Sequence, residues 1–316
     1  MEFAHRPVMG REVVELLQPV PGGLLVDTTV GGGGHGRLLL DARPDLRLLG
    51  IDRDRRAVEA AREALAPFGD RAVVVHGRFG DLRTIIRDIN DTDIGEGAIV
   101  GILFDLGVSS PQLDEPERGF SYWSDAPLDM RMDNSQELTA AHIVNEYSEE
   151  SLARIIADNG EERYARGIAR EIVAARPLQT TGQLVDAVKS AIPAPARRRG
   201  GHPARRTFQA IRMEVNRELP ELEAALDESV HLLTPGGRIL VLSYHSLEDR
   251  LVKERFVEWA DPNPGVPARL PVPGPSRNPL VRLLGRRARR PSEDEVRANP
   301  RASSARLRAA EKLPAG

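Results

Sequence analysis

Residues 27–36, Asp27-Thr28-Thr29-Val30-Gly31-Gly32-Gly33-Gly34-His35-Gly36, follow directly on the apolar run Gly23-Leu24-Leu25-Val26. A buried strand that runs into this much glycine lets the backbone turn sharply and approach a ligand without interference from Cβ atoms. Further on, Leu46-Arg47-Leu48-Leu49-Gly50-Ile51-Asp52 reads as a second buried strand that ends in an acid. An acid about twenty positions past such glycines can grip the hydroxyls of an adenosine ribose, which makes Asp52 the ribose candidate. A third acid, Asp105, closes the apolar run Ala98-Ile99-Val100-Gly101-Ile102-Leu103-Phe104, at the strand end where open α/β sheets place their chemistry. A carboxylate there can accept hydrogen bonds from an exocyclic amine and orient its nitrogen for in-line attack.

The glycine loop fits two patterns. Gly31-x-Gly33-x-x-Gly36 matches the dinucleotide fingerprint, whereas Asp27-x-x-x-Gly31-x-Gly33 matches the loop that binds S-adenosylmethionine (SAM). Taken alone, a glycine fingerprint is a weak signal. Leu232-Leu233-Thr234-Pro235-Gly236-Gly237 reads as a helix end and turn before a fifth strand, Arg238 to Tyr244, and tilts the choice toward SAM. Asp105 lacks the adjacent Pro-Pro of the amine-methylase tetrapeptide, and Ser109-Ser110-Pro111 can equally be a simple turn. Gly107-Val108-Ser109-Ser110-Pro111 also lacks the second glycine of a nucleophile elbow, which argues against a hydrolase.

The elements that must position these residues alternate between apolar runs and helical stripes. Arg55 to Leu65 carries a helical stripe, Ala72-Val73-Val74-Val75-His76 is a β-branched third strand, and Leu82 to Ile89 a short helix. Near-continuous apolar strands separated by helices are what a parallel sheet covered on both faces requires. From Leu138 to Leu233 the pattern turns helical: Thr139, Ser148 and Thr180 stand as N-caps, and Pro177 stops a stripe. The fold expected is α/β, a doubly wound Rossmann-like sheet with an inserted all-helical domain. Its core would comprise residues 1–115 and 208–316, and the insertion 116–207, with Phe120, Tyr122 and Trp123 stacking on a base or pinning the insertion to the core. Seven prolines between Asp261 and Pro279 predict an extended or mobile loop. Arg282 to Arg290 and Ser304 to Glu311 are candidate last strands, with helix the alternative for Ala305 to Lys312.

Composition narrows the classes. A formal charge of −3 gives no global attraction for nucleic acid, so such binding must rest on local patches. The absence of cysteine removes disulfides and thiolate metal sites, and the seven histidines are scattered without ligand spacing, so no metal is expected. No secretory h-region or membrane-length apolar run is present, and a cytoplasmic location is expected.

Beyond these local signals, several longer stretches fit one family. They are His5-x-Pro7-Val8-Met9, Asp27 to His35, Phe104-Asp105-Leu106-Gly107-Val108-Ser109-Ser110-Pro111-Gln112-Leu113-Asp114, Arg118-Gly119-Phe120-Ser121 and Pro127-Leu128-Asp129-Met130-Arg131-Met132. Thr207 to Leu219, Ser243-Tyr244-His245-Ser246-Leu247-Glu248-Asp249-Arg250 and Asn299-Pro300-Arg301 continue it. In order and nearly end to end, the chain resembles the bacterial 16S ribosomal RNA cytosine-N4 methyltransferases. The resemblance implies a SAM-dependent enzyme that methylates N4 of one cytidine in the decoding region of small-subunit rRNA. It also implies that Gly33, Gly34 and His35 line the cofactor loop, Asp52 holds the ribose, Phe79 packs near the adenine, and Asp105 and Gln112 complete the pocket. Two departures bear on the site: Gly36 stands where the family mostly has Ser, and Tyr244 where Phe is usual.

Local charge supports an RNA partner independently of family. Arg197, Arg198, Arg199, Arg205, Arg206, Arg212 and Arg217 lie in one stretch, and Arg282, Arg286, Arg287, Arg289 and Arg290 in another. Guanidinium groups at this density suit phosphate contacts, although a solvated basic linker reads the same in sequence. On the helix from Thr207, Arg212 and Asn216 are one turn apart. They are expected to face the target cytidine or its phosphate, with His245 at the cleft. The partner expected is 16S rRNA in the small ribosomal subunit, with no membrane, and the protein a monomer or homodimer. The competing readings are a non-catalytic RNA-binding protein on the same fold and an NAD-dependent oxidoreductase.

Overall fold

The computed structural model describes residues 7–90, 98–109, 112, 114–197, 201–264, 274 and 276–314. The chain divides into two compact units, Met1–Gly107 with Leu219–Gly316, and Val108–Glu218.

The first unit is built on one seven-stranded sheet. Its strands are β1 (Gly23–Asp27), β2 (Leu46–Asp52), β3 (Ala72–His76), β4 (Ile99–Asp105), β5 (Leu233–Ser243), β6 (Val281–Leu283) and β7 (Arg306–Lys312). The order is β3-β2-β1-β4-β5-β7-β6. β1 to β5 pair in parallel, and β7 runs antiparallel to both β5 and β6. The order reverses between β1 and β4, so their carboxyl ends flank the switch point of a doubly wound, Rossmann-like fold, as expected. Alternate residues feed opposite faces: Leu25, Leu48, Val100 and Leu240 enter one core, while Val26, Leu49, Ile102 and Val241 enter the other. Burial on both faces is why these strands read as continuous apolar runs. Helices α1 (Gly10–Leu17), α2 (Gly34–Ala42), α3 (Arg55–Leu65) and α4 (Leu82–Asn90) belong to the same unit. α2 packs closely on the sheet at Gly36, where an added Cβ would fall 2.5 Å from Leu48 Cδ2.

The turn expected at Pro235-Gly236-Gly237 is present within the span of β5: the helix Glu218–Leu232 ends just before it, the partner register on β4 jumps from Ile99↔Leu233 to Gly101↔Arg238, and Gly236 has φ of 82°. Of the later sequence expectations, one needs correction. The strand expected over Arg282 to Arg290 is only Val281–Leu283, followed by an isolated bridge from Arg289 to Leu307. The strand expected over Ser304 to Glu311 is present as Arg306–Lys312: β7 covers what would otherwise be an open edge of β5. The prolines from residue 265 to 273, and Pro275, lie outside the described residues.

The second unit is helical, and no strand occurs among its described residues. Its helices are Ala140–Glu146, Glu149–Asp158, Ala165–Ala174, Thr181–Ala191, Ala194–Arg197 and Arg205–Asn216. Thr139 and Thr180 form capping boxes with His142 and Gln183, and Ser148 accepts from the Ser151 N–H. Each such cap contributes roughly 1 kcal/mol. The apolar stripes, including Ile143, Leu152, Ile168, Leu184, Ile211 and Val215, close on one core that also holds Phe120 and Phe208. Phe120 therefore pins this unit's own interior, whereas Trp123 is 78 % exposed. No helix among the described residues is long and apolar enough to cross a membrane.

Candidate functional site

At the end of β1 the chain enters a loop whose shape requires glycine. Gly31 and Gly33 have φ of 51° and 80°, in the left-handed region, and the Gly33 N–H closes a turn onto the Val30 carbonyl at 2.8 Å. α2 then begins at Gly34 with no side chain capping its first turn. The leading N–H groups of a helix in this state carry partial positive charge and suit an anionic or polar ligand. Asp52, at the end of β2, holds the loop from the other side: one oxygen accepts the Gly31 N–H and the other the Asp54 N–H, both at 2.9 Å. Burial pushes its pKa up to about 6, against these two hydrogen bonds. The structure thus brings Gly33, Gly34, His35 and Asp52 to one loop.

Asp105 stands at the end of β4, beside β1. Its backbone N–H donates to Thr29 Oγ1 at 2.7 Å. The Tyr244 hydroxyl donates to Asp105 Oδ1 at 2.7 Å, and His35 Nε2 lies 3.4 Å from Oδ2. His35 Nε2 therefore faces the Asp105 carboxylate, while Nδ1 of this buried imidazole has no hydrogen-bond partner among the described residues. Burial pulls the His35 pKa down, but the facing carboxylates of Asp105 and Asp27 outweigh it and the net shift is upward. Asp27 is pushed up to about 7, by burial first, with Asp105 and Asp52 adding to it. Tyr244 is raised well above 10 by burial and by Asp105, so its hydroxyl remains a donor.

Buried polar atoms are paired in most native interiors, and a buried imidazole whose Nδ1 has no partner, beside the carboxylates of Asp105 and Asp27, is a place where a ligand could supply one. A cationic sulfonium on an adenosine fits: acids line the end of β1 and β4, Asp52 stands at the ribose distance along the chain, and the Cβ position of Gly31 meets only the Thr29 carbonyl oxygen, at 3.9 Å. In this arrangement the Gly31–Gly34 loop, Asp52 and the Asp105 edge are the groups that could hold SAM.

The other expected residues have protein partners or exposed positions of their own. Phe79 packs edge-on to Phe104, with ring centroids 6.0 Å apart, beside the core under β4. Gln112 is buried in the other unit, where its side-chain oxygen accepts the Ser109 N–H. His245 caps the helix Ser246–Ala260, and its Nε2 lies 3.0 Å from Glu248 Oε1. Arg212 makes a two-pronged pair with Glu218, both contacts 2.7 Å. Asn216 is 1 % exposed and is corrected from a cytidine-facing group to an internal clamp. Its oxygen accepts the Met132 N–H, and its amide nitrogen donates to the carbonyls of Met130 and Arg212. Arg197 is exposed; Arg198 and Arg199 lie outside the described residues. Sequence reasoning missed the Tyr244–Asp105 bond, for which the only signal was the departure from Phe at position 244.

A model of the MraW methylase family matches residues 2–313 of the chain. The chain is 55% identical over 315 residues to ribosomal RNA small subunit methyltransferase H of Thermobifida fusca (strain YX), covering 98% of this chain and 93% of that protein. It is 53% identical over 320 residues to the protein of the same name from Symbiobacterium thermophilum, covering 100% of this chain and 99% of that one. The Heliobacterium modesticaldum protein of that name is 49% identical over 317 residues, covering 99% and 100%.

Proposed function

The chain belongs to the MraW methylase family and uses SAM as methyl donor; on that premise we propose that it methylates the exocyclic N4 amine of one cytidine in the decoding (P-site) region of 16S rRNA in the small ribosomal subunit. The substrate class follows the names of its relatives, which are ribosomal RNA methyltransferases over their full length.

The observation that carries the chemistry is Asp105, a partly exposed carboxylate held between the Tyr244 hydroxyl and His35. When bound, SAM supplies an electrophilic methyl on a sulfonium that leaves as a neutral thioether. The amine's lone pair is delocalised into the ring, and an acceptor that binds the amino hydrogens turns that pair toward the methyl carbon. As the nitrogen–carbon bond forms and the sulfur–carbon bond breaks, positive charge builds on nitrogen. Asp105 stabilises that charge and takes the proton the nitrogen must lose. The base must leave its stack to reach such a site.

The helical unit is the substrate-recognition part of this reading. Arg197, Arg205 and Arg206 are exposed in it and suit phosphate contacts. Arg286, Arg287 and Arg290, exposed in the other unit, suit the same role.

Purified protein incubated with methyl-labelled SAM and unmodified small subunits should place label in N4-methylcytidine after nucleoside digestion. Label in another nucleoside would move the target atom. SAM binding with no labelled product from subunits or protein-free 16S rRNA would overturn the reading.

A further inference from the structure

The helical unit carries one exposed large hydrophobic side chain among its described residues, Trp123, at 78 %. An isolated exposed apolar residue is ordinary; this one is built into a pile of rings. Phe208 is buried in the unit's core, and Tyr122 meets it edge-on with centroids 5.7 Å apart. His202 stacks on Tyr122 at 4.6 Å with the rings 12° from parallel. Trp123 leans on both, 4.7 Å from His202 and 5.5 Å from Tyr122. Its backbone N–H donates to Ser121 Oγ at 3.2 Å. The indole is thus tied through two rings to the core while most of its surface faces solvent.

The surroundings choose the ligand. His202 lies three and four positions before Arg205 and Arg206, both exposed, Arg206 also donating to the Glu161 carbonyl and lying 4.0 Å from Glu162, and Lys189 acts on His202 electrostatically. Burial, then Lys189, holds the His202 pKa below its ordinary value, so near neutral pH it is an uncharged ring suited to stacking. The acid nearest in sequence, Asp125, is engaged by the Gly182 N–H at 2.9 Å. A protein-docking surface would present several apolar side chains around a central anchor, and among the described residues of this unit no other large apolar side chain is exposed. A single anchored ring beside cations is instead the arrangement by which single-stranded nucleic acid is held: bases stack, and cations track the backbone.

We propose that Trp123, backed by Tyr122 and His202, is a stacking platform for an unpaired base of the RNA substrate. The proposal rests on the rRNA reading above and adds a contact for a base other than the one that is methylated. Stacking here fixes register and affinity, leaving the chemistry at Asp105 untouched.

Tryptophan fluorescence tests it directly, because the chain has two tryptophans and the other, Trp259, is buried. Wild-type protein titrated with protein-free 16S rRNA should lose emission, and the loss should be absent in Trp123→Phe, whose ring still stacks but does not report. Trp123→Ala should bind this RNA about five- to 150-fold more weakly, the range for one lost stacked base, with its SAM affinity unchanged; Trp123→Phe should recover most of the binding. RNA binding without quenching, or unchanged affinity in Trp123→Ala, overturns the platform while methyl transfer leaves the rRNA reading intact. Weaker binding of Trp123→Ala to assembled subunits alone, with protein-free rRNA unaffected, would make the partner a ribosomal protein and also overturn it. Failure of the wild type to bind or methylate any ribosomal RNA would instead bring down the rRNA reading, and the platform with it.

Discussion

Two buried polar clusters in this chain are put together in opposite ways. In the helical unit, Asn216 uses both ends of its amide: the oxygen takes the Met132 N–H and the nitrogen reaches the Met130 and Arg212 carbonyls, at 2.8 to 2.9 Å. Around it, Arg131 forks onto Asp129. At the sheet edge, His35 is buried with Nδ1 unpaired and Nε2 facing Asp105 at 3.4 Å, and Asp27 and Asp52 are both pushed toward neutrality. Polar groups that satisfy one another hold a fold; polar groups buried together and left incomplete hold free energy for a ligand to release. Both clusters are acidic and argininyl or histidyl in sequence, and only the accounting of partners separates them.

The sharpest way to break the comparison is Asp105→Ala. If the sheet-edge cluster is the chemical one, methyl transfer at saturating SAM should fall about a thousandfold, within the range for removing a positioned acceptor. A variant that transfers methyl within tenfold of wild type would reassign Asp105 to structure.

Protonation gives the next largest effect. Asp27 sits at about 7 in the folded chain against 3.8 for a free aspartate, and Asp52 at about 6. The folded state therefore binds more protons than the unfolded one between about pH 4 and pH 7, and stability from these groups is present in acid and lost as pH rises through that window. His35, also raised, acts in the same direction. Asp27→Asn should remove part of this, on the order of a few kcal/mol. Its unfolding temperature without SAM should gain on wild type steadily from pH 5 to pH 8. A difference that does not vary with pH would mean that Asp27 is not protonated on folding. A sulfonium beside these acids favours their charged forms, so SAM affinity should rise over the same pH range.

The paired cluster should respond in stability instead. Asn216→Ala leaves the Met132 N–H and the Met130 carbonyl without these partners, and the cost should be about 1–3 kcal/mol, the penalty for stranding buried polar groups. Activity lost with stability retained would return Asn216 to the substrate. The sequence-level error there is instructive. A helical wheel shows that Arg212 and Asn216 share a face but not what covers it, and the cover is the segment Met130–Met132, 84 to 86 positions earlier. Features set by neighbours in sequence were legible: the caps at Thr139, Ser148 and Thr180, the apolar runs of β1 to β4, and the glycines of the loop. Features set by distant pairing were not. The extent of β6 is set by its pairing with β7, and Tyr244 reaches Asp105 across 139 positions. Asp27, Asp52 and Asp105 were legible as strand-end acids, whereas the unpaired state of His35 needs three-dimensional accounting.

Tyr244→Phe is the finest test, because it removes one oxygen from the incomplete cluster and nothing else. The ring is wedged in place: a Cβ at Gly107 would fall 3.3 Å from its Cδ2, and phenylalanine occupies the same space, so the fold should persist. Its hydroxyl is a committed donor, raised well above 10 by burial and the facing carboxylate. Without it, Asp105 keeps Thr29 on its backbone and His35 beside its other oxygen, but Oδ1 loses the bond that fixes its rotation. A hydrogen bond to a charged group is worth roughly 1.5–3 kcal/mol when fully formed. Part of that is recovered by water at a partly exposed carboxylate, so kcat should fall about three- to tenfold with KM for SAM little changed. An unaltered kcat would show that the strand end and His35 alone aim the carboxylate. A rise in KM with kcat preserved would place Tyr244 with the cofactor and not with the amine.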